Sequence, residues 1–162
     1  MNNAAERTLP LTEASVRPAQ LGDAEALHRY CYPESTLDDV RDYLAWCLRQ
    51  AQKGRIVRLV AKVDGRAVGN VQLTIRGQRG EVGSLIVAEA YRRRGLARRM
   101  LEEVVALAQR RGLAVLEIAV SEQQAAILAF YQQLGFQRVP DTKEELSHPA
   151  SPEPIVNLEK RL

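Results

Sequence analysis

Apolar and polar residues alternate with different periods along the chain, and each period predicts a type of element. Apolar or alternating runs bounded by turn residues predict seven strands, at 14–18, 56–63, 67–75, 81–87, 114–120, 135–139 and 155–162. Apolar residues at helical spacing predict four helices, from Asp23 to about Tyr30, from Ser35 or Thr36 to Gly54, from Gly95 to Gly112 and from about Ser121 to Leu134. The resulting order is β-α-α-β-β-β-α-β-α-β-β.

The middle of the chain combines a strand meander with a βαβ unit. Asp64-Gly65 is a hairpin signal, and a second turn at 77–80 leads into a third strand. The run at 114–120 is almost wholly apolar and follows a helix, which predicts a strand buried on both faces. We expect it to lie parallel to the strand at 81–87, because a crossover helix joins the two.

The joint between the strand at 81–87 and the helix that begins at Gly95 carries three arginines followed by small residues. Arg92 to Arg94 stand directly before Gly95-Leu96-Ala97. The first N–H groups of a helix have no intrahelical acceptor and lie at the positive end of its dipole. A glycine also lets a phosphate approach them closely. The joint therefore predicts a pyrophosphate cradle, although an ordinary strand–turn–helix with solvated arginines has the same pattern.

Composition narrows the classes of protein that fit. Of the 162 residues 46% are hydrophobic and 27% are charged, which fits one domain at 14–162 after a flexible segment at 1–13. The net charge of +3 and the 5% of aromatic residues are low for a nucleic-acid binder, so the arginines fit a local anion site better, with RNA contact left open.

The cysteines and the apolar runs indicate in which cellular compartment the protein is expected. Cys31 and Cys47 are too few for a disulfide framework, and their spacing is not that of a metal site. No stretch has the pattern of a secretory signal or a membrane span. We therefore expect a cytoplasmic protein.

Two motifs about 35 residues apart carry a family resemblance. The first is Leu85-Ile-Val-Ala-Glu-Ala-Tyr-Arg-Arg-Arg-Gly-Leu-Ala-Arg98, and the second is Ala129-Phe-Tyr-Gln-Gln-Leu-Gly-Phe136. With them the chain resembles the GNAT superfamily of acyl-CoA-dependent N-acetyltransferases, whose signature Gln/Arg-x-x-Gly-x-Gly/Ala is here Arg92-x-x-Gly95-x-Ala97. The resemblance implies a mixed α/β (α+β) fold, with a mostly antiparallel sheet of about seven strands, helices on both faces and a central βαβ acyl-CoA unit.

The resemblance also implies where acetyl-CoA binds. The backbone of the strand would bond the pantetheine arm beside a β-bulge, and the amides from Arg93 to Arg98 would hold the pyrophosphate with help from arginine side chains. Gln124 stands where the family often has an asparagine. The implied cofactor-binding residues are Leu85, Ile86, Val87, Arg92, Arg93, Arg94, Gly95, Leu96, Ala97, Arg98, Gln124 and Tyr131.

Three side chains are candidates for proton transfer. Tyr131 would lie near the CoA sulfur and donate a proton to the departing thiolate, or else it is a core aromatic beside Phe130. Glu117, which interrupts an apolar run, and Glu81 are candidates for the base that deprotonates the amine, directly or through water. Each of these two could instead form a structural ion pair or carry a surface charge.

The implied function is transfer of an acetyl group from acetyl-CoA to a primary amine of a small molecule, amino acid or peptide, directly in a ternary complex. A non-catalytic acyl-CoA sensor and, more remotely, an RNA-associated protein are the alternatives. Acceptor choice is expected to depend on the segment 30–35 and the loop 140–154, where Glu34 either attracts a cationic amine or is simply solvated. The sequence leaves open whether the last strand joins two copies in a homodimer.

Overall fold

In a computed structural model, residues 14–140 and 154–162 are described, and they form one seven-stranded sheet with four α-helices. Across the sheet the strand order is β1-β2-β3-β4-β5-β7-β6, and neighbouring strands are antiparallel except β4 and β5. The predicted mixed fold with a mostly antiparallel sheet is confirmed. In chain order the elements are β1 Ala14–Pro18, α1 Ala24–Tyr30, α2 Leu37–Gln52, β2 Ile56–Val63, β3 Arg66–Arg76, β4 Arg79–Val87, α3 Leu96–Arg110, β5 Val115–Ser121, α4 Ala125–Gln133, β6 Gln137–Arg138 and β7 Ile155–Arg161.

Helices lie on both faces of the sheet, as predicted. The larger buried cluster packs α3 and α4 against one face, and it includes Leu73, Met100, Leu116, Phe136 and Leu158. The smaller cluster packs α1 and α2 against the other face of β2 and β3, and it includes Leu27, Leu44, Val60 and Ala67. No helix in the described ranges is long and apolar enough to cross a membrane.

The start and end of α3 follow from the local sequence. Gly95, with φ 81°, stands at the N-cap, and Gly112, with φ 70°, follows the last turn. Both dihedral angles lie in the left-handed region that favours glycine. Between them the side chains that face the sheet recur at helical spacing and are at most 3% exposed, namely Leu96, Met100, Leu101, Val104 and Ala108.

Two predicted boundaries are wrong because strand pairing and backbone conformation override the local pattern. β5 continues to Ser121, which pairs with Ile155 of β7, so Ser121 does not cap a helix and α4 begins only at Ala125. β6 is limited to Gln137–Arg138, because Gly135 has φ 91° and lies in the turn after α4.

Of the helix caps predicted at Thr36 and Asp23, only the first makes the expected hydrogen bond. Thr36 caps α2, since its hydroxyl accepts a hydrogen bond from the amide of Asp39 at 3.1 Å. Asp23 precedes α1 but makes no side-chain cap. Its carboxylate instead accepts from the amide of Gln20 at 2.8 Å and pairs with Arg17 at 2.9 Å.

The prediction that β5 is buried on both faces is wrong for one of them. Leu116 and Ile118 face α3 and α4 and are at most 7% exposed, whereas Ala119 is exposed and Glu117 is about half-buried. The second pair faces the side of β5 that no helix of the described residues covers. One face of the C-terminal half of the sheet is therefore open.

The close packing between β3, β4 and β5 leads to a stability prediction. A Cβ added at Gly80 would lie 2.8 Å from Cδ1 of Leu73, 2.9 Å from Cδ2 of Leu116 and 3.0 Å from Cδ1 of Leu113. We expect Gly80→Ala to lower the free energy of unfolding by about 1–3 kcal/mol, because three buried leucines would have to shift together. Urea denaturation measures the change. Gly83→Ala on the same strand is the matched control, since nothing lies within 4 Å of its Cβ position, and an equal loss there would contradict the packing argument.

Candidate active site

The candidate site begins where β4 separates from β5. The two strands pair only from Arg79 to Glu81 on β4 and from Val115 to Glu117 on β5. Beyond that point β5 pairs with β7, and no strand of the described residues pairs with the outer edge of β4 from Val82 to Val87. Leu85, Ile86 and Val87, which the resemblance assigns to the cofactor, lie along this free edge. An unpaired strand edge leaves backbone donors and acceptors available to a ligand.

A β-bulge interrupts β4 just before these residues. Asn70 of β3 is opposite Ile86 and Gln72 is opposite Gly83, so β4 has one residue more than β3 in this interval. Ser84 lies within the bulge with φ 52°, a conformation that costs free energy in a residue other than glycine. The side-chain amide of Asn70 donates to the carbonyl of Ser84 at 3.0 Å. The bulge is thus held from the neighbouring strand.

The free edge of β4 is followed by the N-terminus of α3, after a connection that contains a short 3-10 turn at Glu89–Tyr91. By the geometry of helices, the amides of Leu96, Ala97 and Arg98 have no acceptor within α3. The first turn of α3 contains no acidic residue. The positive end of the helix dipole is therefore not offset by a local carboxylate.

The arginines at the joint have different surroundings. Arg92 donates from Nε to the carbonyl of Val87 at 2.9 Å, so it ties the turn to the end of β4. The guanidinium of Arg94 lies 5.7 Å from the ring centroid of Tyr91. Arg93 and Arg98 are exposed and pair with no carboxylate in the described part of the chain. The charges of these two are free to meet an anion.

Tyr131 lies in α4 and belongs to the same buried cluster as Val87. It is 3% exposed and makes edge-to-face contacts with Phe130 and Phe136, with ring centroids 5.3 Å and 5.5 Å away. Burial raises the pKa of its phenol to about 12, because the protein interior disfavours the phenolate. The side chain therefore carries its proton throughout the neutral and mildly alkaline range.

Gln124 stands one residue before α4. Its backbone amide donates to the carbonyl of Ser121 at 3.1 Å, and its carbonyl accepts from the amide of Leu128 at 3.0 Å. Its side chain is exposed. The backbone of Gln124 thus closes the first turn of α4, and its amide side chain is available to a ligand.

The two carboxylates considered as bases lie in a groove of about 800 Å³ on the open face of the sheet. Glu117 bonds to Arg79, which also pairs with Glu159 at 2.5 Å, so Glu117 forms the structural ion pair that the sequence left open as an alternative. Glu81 is exposed and forms no ion pair with any described residue. The part of either one as a base remains a prediction.

The connection between α1 and α2 lies against the other side of the bulge. The hydroxyl of Tyr32 donates to Oδ1 of Asn70 at 3.0 Å, whereas Glu34 is exposed. Burial raises the pKa of Cys31 to about 11 and also raises that of Cys47. Both thiols are therefore protonated at neutral pH. Of the second segment expected to choose the acceptor, residues 141–153 lie outside the described ranges.

Several residues at the site were missed by reasoning from sequence. Arg79, which joins two acidic side chains, was assigned to a turn, and Ser84 carried no signal of the bulge. Asn70 carried no clear signal either, because it alternates with Gln72 and Thr74 and has the pattern of a polar strand face. Its three hydrogen-bond partners come from distant parts of the chain, so the sequence could not identify them.

Comparison with known proteins agrees with this geometry. A family model described as the acetyltransferase (GNAT) family matches residues 21–136. Three solved structures are similar. The ribosomal-protein-alanine N-acetyltransferase from Brucella melitensis is 23% identical with a TM-score of 0.75, over 91% of this chain and 99% of that one. The PaiA N-acetyltransferase from Thermoplasma acidophilum, in complex with coenzyme A, is 17% identical with a TM-score of 0.69, over 92% and 99%. The Salmonella typhimurium acetyltransferase that modifies the N-terminal serine of ribosomal protein L7/L12 is 13% identical with a TM-score of 0.80, over 93% and 96%. At these low sequence identities, the TM-scores show that the three proteins share the fold of this chain.

Proposed function

Because the chain belongs to the acetyltransferase (GNAT) family, it is an acyltransferase that uses acetyl-CoA, and we propose that it acetylates a primary amine of a small molecule, amino acid or peptide. We also propose that residues 14–162 form a single catalytic domain that works in the cytoplasm. One observation carries the proposal. The free edge of β4, from the bulge at Ser84 to Val87, is followed by the start of α3 after a connection with a short 3-10 turn at Glu89–Tyr91, and these two segments form the strip proposed to bind the ligand.

The residues along this strip fit acetyl-CoA. Leu85 to Val87 offer backbone groups to an extended arm that contains amides, while Gly95 and the following amides suit an anion. Arg93 and Arg98 add charge without a competing carboxylate among the described residues. Acetyl-CoA, when bound, supplies an acetyl group activated as a thioester.

Tyr131 is proposed as the general acid. Its phenol keeps its proton because burial raises the pKa to about 12, so a proton is available for the sulfur that leaves. A hydroxyl at this place stabilises negative charge as it develops on the sulfur, in surroundings that exclude most water.

Transfer is proposed to be direct, in a ternary complex. A covalent route through a cysteine would need a thiolate, and burial raises the pKa of Cys31 to about 11 and also raises that of Cys47. The amine must lose its proton before it attacks. Glu81 is proposed as the first candidate for the base, because it is exposed in the groove without an ion-pair partner among the described residues, and Glu117 as the second.

Binding of CoA is expected to stabilise the protein against heat. At a CoA concentration 100 times its Kd, the free energy of unfolding should rise by about 2.7 kcal/mol, which corresponds to a shift in Tm of about 5–10 °C. Differential scanning fluorimetry measures the shift. Adenosine, which lacks the pyrophosphate and the pantetheine arm, is the control ligand. A Tm that does not respond to CoA would contradict the proposed site.

The proposed function is tested by screening acetyl transfer, with release of free CoA as the readout. The panel contains simple amines, amino acids and peptides. Peptides with an N-terminal serine or alanine belong in it, because two of the similar structures are named as ribosomal-protein acetyltransferases. CoA release that depends on one acceptor class supports the proposal and names that class. Tight CoA binding without transfer to any acceptor would favour the acyl-CoA sensor instead, and RNA binding with a steep salt dependence would favour the RNA-associated protein.

A further inference from the structure

A buried polar network joins the bulge of β4 to the connection between α1 and α2, which is expected to lie on the acceptor side. Its centre is Asn70, which is 0% exposed. Nδ2 of Asn70 donates to the carbonyl of Ser84 at 3.0 Å. Oδ1 of Asn70 accepts from the hydroxyl of Tyr32 at 3.0 Å and from Nη1 of Arg58 at 3.2 Å. One side chain therefore contacts the bulge, the connection between α1 and α2, and β2.

The orientation of the Asn70 amide is determined by its partners. Arg58 can only donate and the carbonyl of Ser84 can only accept, so Oδ1 must face the guanidinium and Nδ2 must face the bulge. A carboxylate of the same length could not donate to Ser84, and a leucine could satisfy none of the three partners. An amide is thus the one short side chain that suits both sides of this position.

The network is costly to keep. Arg58 is 6% exposed, pairs with no carboxylate in the described part of the chain, and has no hydrogen-bond partner for its Nε. Its guanidinium lies 5.1 Å from the ring centroid of Tyr43. A buried cation with incomplete hydrogen bonding lowers stability relative to an apolar core. Ser84 adds strain through its left-handed backbone. Features that lower stability in this way are typical of places where function requires a particular geometry.

We propose that Asn70 is a positioning residue for acetyl transfer: it holds the β4 bulge in the conformation that presents Leu85 and Ile86 to the thioester, and through Tyr32 it links that bulge to the acceptor side. The inference rests on the proposed acetyl transfer. Asn70 itself need not touch either substrate. It acts by holding the carbonyl of Ser84, and this sets the direction of the next peptide group along the free edge.

The variant Asn70→Asp separates this positioning from stability. The carboxylate still accepts from Tyr32 and Arg58 and gives Arg58 the counter-charge it lacks, but it turns an oxygen toward the carbonyl of Ser84. We expect a Tm at or above that of the wild type. We expect kcat to fall about 10- to 100-fold, since displacements of about 1 Å at a reacting group have effects of this size. The Kd for CoA should rise only about two- to tenfold, the effect of one weakened hydrogen bond to the pantetheine arm, because the cradle at α3 is untouched.

Amide NMR of the CoA-free protein provides a readout independent of activity. The ¹H–¹⁵N resonances of Leu85 and Ile86 should move in Asn70→Asp. Gln72→Glu is the matched control: it makes the same amide-to-carboxylate change at the other flank of the bulge, where the side chain bonds Tyr43, Cys47 and Thr74 and, among the described residues, no backbone group of β4. We expect the Leu85 and Ile86 resonances and the turnover of this control to stay close to the wild type. Unmoved resonances with unchanged turnover in Asn70→Asp, or a loss of turnover that follows a loss of Tm, would overturn the inference.

Tyr32→Phe tests the hydrogen bond between Tyr32 and Asn70. It also provides a second variant if Asn70→Asp does not fold. It removes one hydroxyl and keeps the ring. The connection between α1 and α2 then loses the hydrogen bond that ties it to Asn70, so we expect the KM for the acceptor to rise about two- to tenfold, with kcat nearly unchanged. An unchanged acceptor KM would remove Tyr32 from the proposal. If the wild type transfers no acetyl group at all, the proposed function fails, whereas the amide resonances still decide whether Asn70 holds the bulge.

Discussion

Replacing Tyr131 by phenylalanine is expected to lower kcat about 10²- to 10⁴-fold while the Kd for CoA changes by less than about threefold. The change removes only the hydroxyl and leaves the ring between Phe130 and Phe136. Steady-state kinetics with the best acceptor, together with calorimetric titration of CoA, measures both quantities. Tm should not fall, because burying a ring without a hydroxyl is no more costly than burying the phenol.

The pH dependence of kcat provides a second test of the acid role of Tyr131. The pKa of Tyr131 is about 12, so its protonated fraction stays near one up to about pH 10. Ionisation of this phenol should therefore not lower kcat of the wild type in that range. Tyr43→Phe is the control, because it removes a hydroxyl that bonds Gln72 at 3.0 Å and leaves the site alone. Equal turnover in Tyr131→Phe and the wild type would exclude the acid role.

Replacing Gly95 by valine is expected to weaken CoA binding about 10- to 100-fold. Gly95 has φ 81°, where a β-branched residue is strained. The added side chain also stands at the N-terminus of α3, where a pyrophosphate would approach the amides. Part of the loss therefore comes from a distorted first turn and part from blocked access. Calorimetric titration of CoA measures the change.

Gly112→Val is the matched control at the other end of the same helix. Gly112 has φ 70°, and nothing lies within 4 Å of its Cβ position, so the backbone strain is similar and no ligand site is near. Both variants should lose similar stability in urea, but only Gly95→Val should lose affinity for CoA. If Gly112→Val weakened CoA binding as much, the effect would come from general strain in α3, and the cradle would not be supported.

Much of the fold could be predicted because its signals are local. The hairpin at Asp64-Gly65, the Thr36 cap and the apolar stripe of α3 each depend on residues within one or two turns of one another. A glycine with positive φ marks the boundary of α3 at both ends. The motif around Gly95 is equally local, so the sequence alone was enough to propose a pyrophosphate cradle there.

The errors occurred where distant segments decide the outcome. The length of β5 depends on its pairing with β7, and Ser121 lies opposite Ile155 only in the assembled sheet. The exposure of Ala119 depends on which helix covers that face, a question that an apolar run cannot answer. The sequence could not decide whether Glu117 forms an ion pair, because Arg79, its partner, is 38 residues away in the chain.

By itself the sequence determined the order of the elements and the family, since both depend on residue types at short, fixed spacings, and it located the joint at which the pyrophosphate cradle is proposed. The tertiary structure alone decided where β4 separates from β5, that Ser84 lies in a bulge, and that Asn70 holds it. These features arise from strand register and from side chains that meet across the sheet. The residue types next to one another along the chain do not determine these contacts between strands, so they are known only from the packed sheet.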